Sequence, residues 1–163
     1  MGFDLSGLNP QENTPLPEIV TKWQDKDGWV KWKEMESVKG ESVKYFEALE
    51  KWKEENPGDY FRANIHWWFP LWEFVSTMCS DILTEEDINS CKYNDGYEIT
   101  EDKAIKIAEK LEILNDSGEI KQYENALREN FIHCNVDGNC AFSVDVVMSF
   151  AKFCKQSGGF TVC

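Results

Sequence analysis

This chain of 163 residues lacks several features, and each absence weighs against a class of function. No apolar run approaches the roughly 18 residues of a membrane-spanning helix. The first ten residues contain neither the basic stretch nor the apolar core of a signal peptide, so we expect a soluble, cytoplasmic protein. Glycine-rich phosphate loops, the Gly-x-Ser-x-Gly elbow and other complete catalytic motifs are also missing. The sequence therefore gives no support to an enzyme.

Basic residues are scarce, since 17 Lys and Arg stand against 30 Asp and Glu and the net charge is −13 at pH 7. Nucleic-acid affinity depends on Lys and Arg displacing counterions from phosphates, so we expect no direct binding of DNA or RNA. An acidic surface can instead imitate DNA for a basic protein. We therefore expect the partner to be either a small molecule or a protein, with no membrane involved.

The chain has only two histidines, and its six cysteines are scattered. His133 precedes Cys134 and Cys140, but this spacing matches no standard zinc motif and lacks a second ligand pair. We predict a plain turn there, with no metal and no cofactor. An acid–base pair of His66 with Asp95 is an alternative that nothing else in the sequence supports. The scatter of all six cysteines, without an export signal, favours reduced thiols.

The apolar pattern predicts an α+β fold, mainly helical with a few short antiparallel strands, in a single domain at 1–163. Lys26-Asp-Gly28, between two alternating segments, predicts a β-hairpin near residues 19–32. Residues 1–9 and 160–163 are predicted to be terminal strands that can pair with each other. Helical spacing and capping residues predict helices at 41–55, from near Pro70 to Cys79, at 84–89, from Thr100 to Leu114, around 120–127, and from Ser143 to Gly158.

The segment 60–72 carries six aromatic rings in thirteen residues, more than one core helix requires. Its indoles, Trp67, Trp68 and Trp72, have two interpretations. They can fill a small core, as aromatic residues usually do, or they can form a stacking wall for a planar ligand. Both interpretations stay open at the level of the sequence.

Polar residues accompany the rings. On a strand at 60–69, Arg62, Asn64 and His66 would share one face. The arginine could hold a phosphate or carboxylate, and the asparagine could bond a base or amide edge. A tight turn at 93–96 adds further polar groups. The predicted ligand-binding residues are Arg62, Asn64, His66, Trp67, Trp68, Trp72, Asn94 and Asp95.

Four segments together resemble a family of small proteins from tailed bacteriophages and prophages. They are Met1-Gly-Phe-Asp-Leu-Ser-Gly-Leu-Asn-Pro10, the aromatic segment 60–72, Tyr93-Asn-Asp-Gly96 and Ser157-Gly-Gly-Phe-Thr-Val-Cys163. The resemblance covers about residues 1–10 and 60–163, so residues 11–59 look like an insertion. Phe69 stands where members usually have Arg, and the two Cys-x-x-Cys pairs of many members are absent, so zinc is not carried over.

The resemblance implies a phage accessory protein without established enzymatic activity, and such proteins frequently act against host defence. Our first hypothesis is a protein that sequesters a nucleotide-like signalling molecule in the host cytoplasm. The second is an acidic inhibitor, or DNA mimic, that binds a host defence protein. A third, an enzyme, lacks a cluster of titratable residues. Homo-oligomerisation stays open.

Overall fold

The structure is a computed structural model that describes residues 2–130, 132–135 and 140–163. The chain divides into two compact units. We call Met1–Gln11 with Pro57–Cys163 the sheet unit, and Glu12–Asn56 the helical unit. The described residues form eight helices and a four-stranded antiparallel sheet, which confirms the predicted α+β class. No helix in this part is long and apolar enough to cross a bilayer.

The sheet consists of β1 (Gly2–Gly7), β2 (Tyr60–Asn64), β3 (Tyr97–Ile99) and β4 (Phe160–Val162), in the order β2-β1-β4-β3. All neighbours are antiparallel, and β1 pairs with β4 as the sequence predicted. Side chains alternate across the sheet because successive residues of a strand point to opposite faces. Phe3 and Leu5 are buried in the core, whereas Asp4 and Arg62 lie on the more open face.

The helices are α1 (Glu18–Lys22), α2 (Trp32–Glu36), α3 (Glu41–Glu55), α4 (Ile65–Met78), α5 (Glu85–Ser90), α6 (Glu101–Asp116), α7 (Glu119–Glu129) and α8 (Val144–Gln156). In the sheet unit, α6 buries its predicted apolar stripe, from Ala104 to Leu114. Ser143 caps α8 as predicted, accepting a bond from Val146 N–H. Gly158 and Gly159 follow α8 with positive φ of 63° and 89°, a conformation that glycine adopts without steric cost.

Helix α4 begins five residues before the predicted start at Pro70. Asn64 sets this start, because its side-chain oxygen accepts bonds from the N–H groups of His66 and Trp67. Pro70 lies inside the helix, where it has no N–H to donate to the carbonyl of His66. His66 is consequently on a helix, and it does not share a strand face with Arg62 and Asn64.

The helical unit differs from the sequence prediction at residues 19–32. The predicted turn is present and Gly28 has φ of 85°, but only a single bridge, between Gln24 and Val30, remains of the hairpin. Val20 and Trp23, three residues apart, instead point into a small core with Met35. Helix α3 has the predicted bounds, 41–55. The unit nearly coincides with residues 11–59, whose origin as an insertion stays a prediction.

The cysteines differ in state. Cys134 and Cys140 form a disulfide, contrary to the expected reduced thiols. An antiparallel bridge between these two residues and a bond from Ala141 N–H to the His133 carbonyl (2.9 Å) bring them together. The turn predicted between them lies at 136–139, outside the described residues. The remaining cysteines are free thiols: Cys79, Cys91 and Cys154 are buried, and Cys163 is exposed.

Candidate functional site

The first turn of α4 borders two clefts in the sheet unit. The larger, which we call the histidine cleft, has a volume of about 540 Å³. It is lined by Asn64, His66, Trp67, His133, Cys134, Asn135, Cys140 and Ala141. Both histidines of the chain thus line the same cleft, together with the indole of Trp67 and the side-chain amide of Asn64. Its volume is in the range of sites that bind small organic ligands.

Trp67 is the only member of the predicted three-indole wall that borders a described cleft. It is half-buried, whereas Trp68 and Trp72 are 0% and 1% exposed. These two rings stack on each other with centroids 5.4 Å apart. Their indole N–H groups donate to the carbonyls of Cys91 (2.9 Å) and Ile88 (3.1 Å). They hold α4 against α5 and present no open face to a ligand. Of the three predicted indoles, only Trp67 is therefore accessible for stacking.

The opposite wall of the histidine cleft is the segment 133–135 with Cys140 and Ala141. His133 has a positive φ of 55°, and its Nε2 lies 3.4 Å from a carboxylate oxygen of Glu73 on α4. This contact places the imidazole of His133 beside α4. Sequence reasoning did not include His133 among the ligand-binding residues. The only signal was its rarity, because nothing in the spacing shows that a histidine 67 residues after His66 returns to α4.

The smaller cleft, which we call the edge cleft, has a volume of about 370 Å³ and follows β2. It is lined by Phe61, Arg62, Ala63, Asn64, Trp67, Asp145, Val146 and Ser149. Arg62 belongs to this cleft and does not line the histidine cleft. Its Nε lies 3.5 Å from Asp4, an exposed pair on the open face of the sheet. The two clefts share Asn64 and Trp67.

Asp4 is also bonded to a tyrosine. The Tyr60 hydroxyl donates to the same carboxylate oxygen that Arg62 approaches. Burial, followed by the hydrogen bond to Asp4, raises the pKa of Tyr60 to about 12. The phenol is therefore protonated at neutral pH, and its hydroxyl donates to the carboxylate that also pairs with Arg62. This arrangement holds Arg62 along β2, on the side of the sheet away from the core.

The two predicted turn residues do not join the clefts. The Asn94 side-chain amide donates to the carbonyl of Gly2 at 2.7 Å, so it holds the start of β1. Asp95 is exposed and lines neither cleft, so the alternative acid–base pair with His66 gains no geometric support. Among the described residues, no group of three metal-ligating side chains is placed to hold an ion.

A third feature is an acidic strip on α5, the turn that follows it, β3 and the start of α6. It comprises exposed carboxylates without an ion pair in the part of the chain described, namely Glu85, Glu86, Asp95, Glu98 and Glu101. Buried Asp87 joins the three elements, because it bonds Thr84, Tyr97 and Lys103. Burial raises the pKa of Asp87, but Lys103 and Thr84 more than offset this and hold it below its ordinary value.

Comparisons with protein family models, with curated proteins and with solved structures found no match to this chain.

Proposed function

We propose that the protein binds a small, planar, nucleotide-like molecule in the histidine cleft and sequesters it without chemical change. The observation that supports this best is the position of Trp67. Its half-buried indole lines the same cleft as Asn64, His66 and His133, and the volume of this cleft fits one such molecule. A base can stack on the indole, because every nucleobase offers a π-face to an aromatic side chain.

The polar groups of the cleft suit the edge of a heterocycle. The oxygen of the Asn64 side chain is occupied by α4, which leaves its amide N–H groups to donate. Arg62 lies one cleft away, beyond the shared Asn64 and Trp67, where it supports binding of a phosphate that extends from the base.

A titration with nucleotides tests this proposal. We expect AMP, ADP-ribose or a cyclic dinucleotide to quench tryptophan fluorescence and to raise the melting temperature. Trp67→Ala should weaken binding about 5- to 150-fold, because stacking on one ring contributes roughly 1–3 kcal/mol per base. Trp29→Ala is the matched control, since it removes a 75% exposed indole from the helical unit. Equal affinities of the two variants, or no response to any of these ligands, would contradict the proposal.

A second candidate function is inhibition of a basic protein, and the acidic strip supports it. Its five carboxylates, which form no ion pair within the described ranges, lie on α5, β3, α6 and the turn between α5 and β3, and they present a field that attracts a basic surface. The test is capture of proteins from a host lysate at low and high salt. Reversing Glu85, Glu86 and Glu98 to lysine should abolish capture, whereas Arg62→Ala should not. If the amount of captured protein changes neither with salt nor with charge reversal, this function is excluded.

The proposed biological setting follows from the resemblance described above. We propose that a tailed phage or prophage encodes the protein and that it acts in the host cytoplasm against a defence signal. Expression in a host that carries a nucleotide-signalling defence system should restore phage growth, and Trp67→Ala should remove this effect.

A further inference from the structure

The hydrogen bonds of β1 show which way the peptide groups of β2 point. Asp4 N–H donates to the Cys163 carbonyl at 2.8 Å, and Cys163 N–H donates back to Asp4 at 2.7 Å. Both peptide groups of Asp4 therefore face the β4 side of β1. Because these groups alternate along a strand, those of Phe3 and Leu5 face β2.

The register with β2 then assigns its residues. Phe3 lies opposite Ala63 and Leu5 opposite Phe61, so these are the hydrogen-bonded pairs. Arg62 lies opposite Asp4 in a pair without main-chain bonds. Its N–H and C=O consequently point away from β1. Since β2 is the edge strand of the described sheet, the N–H and C=O of Arg62 point outward, where no described strand pairs with them.

The edge cleft lies along this outer side. Four consecutive residues of β2, Phe61–Asn64, form one wall, and the beginning of α8 contributes Asp145, Val146 and Ser149. An open strand edge is a template for another strand, and proteins commonly cover it or block it. Here the edge borders about 370 Å³ of open space. The Arg62 side chain does not fill this route, because it lies beside Asp4 on the face of the sheet.

We propose that β2 accepts an extended segment of another protein, which adds to the sheet as a further strand through the peptide groups of Arg62. The segment residue opposite Arg62 would exchange two hydrogen bonds with it. The residues on either side would face the cleft, where Val146 favours an aliphatic side chain. Asp145 is exposed and has no ion pair within the described ranges, so it favours lysine or arginine. The net charge of −13 also favours a basic segment.

Hydrogen exchange tests the geometry directly. The probe is a synthetic hexapeptide with threonine at every second position and either valine or lysine at the positions between. In the free protein, we expect the Arg62 amide to exchange much faster than those of Phe61 and Ala63, which are bonded to β1. The peptide should slow exchange at Arg62 and leave its two neighbours unchanged. An Arg62 amide that is already protected without peptide would overturn the proposal.

A pair of substitutions at one position separates the main chain from the side chain. Arg62→Pro removes the outward N–H without breaking a bond to β1, a change that edge strands tolerate. Arg62→Ala removes the side chain and keeps the N–H. We expect the proline variant to bind the hexapeptide about tenfold more weakly than the alanine variant, the effect of one lost hydrogen bond. Equal binding would refute strand addition.

Two further experiments address the case in which Arg62→Pro does not fold and the case in which a second copy of the chain occupies the edge of β2. If Arg62→Pro is unstable, N-methylation of the peptide residue that faces Arg62 should abolish binding to the wild type. Methylation of the adjacent residue should not, and equal effects would count against the proposal. Asp145→Lys should lower the affinity for the lysine-containing peptide severalfold. If sedimentation instead shows a dimer that Arg62→Pro dissociates and Arg62→Ala retains, the occupant is a second copy and the proposed partner is wrong.

Discussion

Substitution of Asp87 by asparagine should destabilise the sheet unit more than any other single change of charge at an aspartate–lysine pair. The Asp87 side chain is 2% exposed and accepts four hydrogen bonds. They come from Thr84 N–H (2.6 Å), the Thr84 hydroxyl (2.8 Å), the Tyr97 hydroxyl (3.1 Å) and the Lys103 ammonium (2.6 Å). Asparagine removes the charge and replaces one acceptor with a donor.

The expected cost follows from burial. Removing one partner of a buried ion pair costs about 3–5 kcal/mol, and the asparagine side chain would keep one acceptor oxygen, so we expect a loss of about 3 kcal/mol. For a chain of this length, that corresponds to a fall in melting temperature of about 6–12 °C. Asp81→Asn is the control, since Asp81 also lies 2.6 Å from a lysine but is 65% exposed. It should lower the melting temperature far less, because a solvent-exposed ion pair contributes little to stability.

Acid titration provides a second readout of the same pair. The folded pKa of Asp87 lies below its ordinary value, so the unfolded chain binds the proton more readily. Its contribution is complete above the ordinary aspartate pKa of about 4 and is lost as pH falls through the lower folded pKa. The difference in melting temperature between wild type and Asp87→Asn should therefore shrink below about pH 4. A difference no larger than that of Asp81→Asn at pH 7 would refute the reasoning.

Three further outcomes are expected. Gly58→Ala should unfold at a much lower urea concentration than the wild type, because a Cβ at residue 58 would lie 2.2 Å from the Gln156 carbonyl oxygen. Gly28→Ala should lose only about 1 kcal/mol of stability, because a Cβ there would have no atom within 4 Å. Similar losses of stability in the two variants would contradict this. Asn64→Ala should lose about 1 kcal/mol of stability and Asn64→Asp little, as the cap of α4 requires. Under non-reducing conditions, a thiol reagent should label Cys163 in the native protein and leave the three buried cysteines unmodified until unfolding, because burial raises the pKa of those thiols; native labelling of more than one cysteine would count against their burial.

Elements that depend on local pattern were predictable from the sequence. Helix α3 ends before Pro57, and its bounds were correct because apolar spacing and a helix-stopping residue agree there. The stripe of α6 was predictable for the same reason. Pairing of β1 with β4 was also correct, although the two strands lie far apart along the chain. Both carry buried apolar residues on one face, which a sheet next to a core requires.

The site was less predictable, because two signals competed at the start of α4. Pro70 suits a first turn, but the Asn64 side chain caps the helix earlier. That shift of five residues decides which side of the helix each indole occupies. Trp68 turns into the core and Trp67 stays at the surface. The arrival of His133 at the same cleft depends on tertiary packing, which no local pattern encodes.

The strand order has a consequence for synthesis on the ribosome. β4 is the last strand along the chain, yet it lies between β1 and β3, which do not pair with each other. β3 therefore has no hydrogen-bonding neighbour until residues 160–162 have left the exit tunnel. At about 5–20 residues per second, the edge of β1 that pairs with β4 stays unpaired for many seconds. We expect nascent chains that stop before Phe160 to be protease-sensitive and to need chaperones.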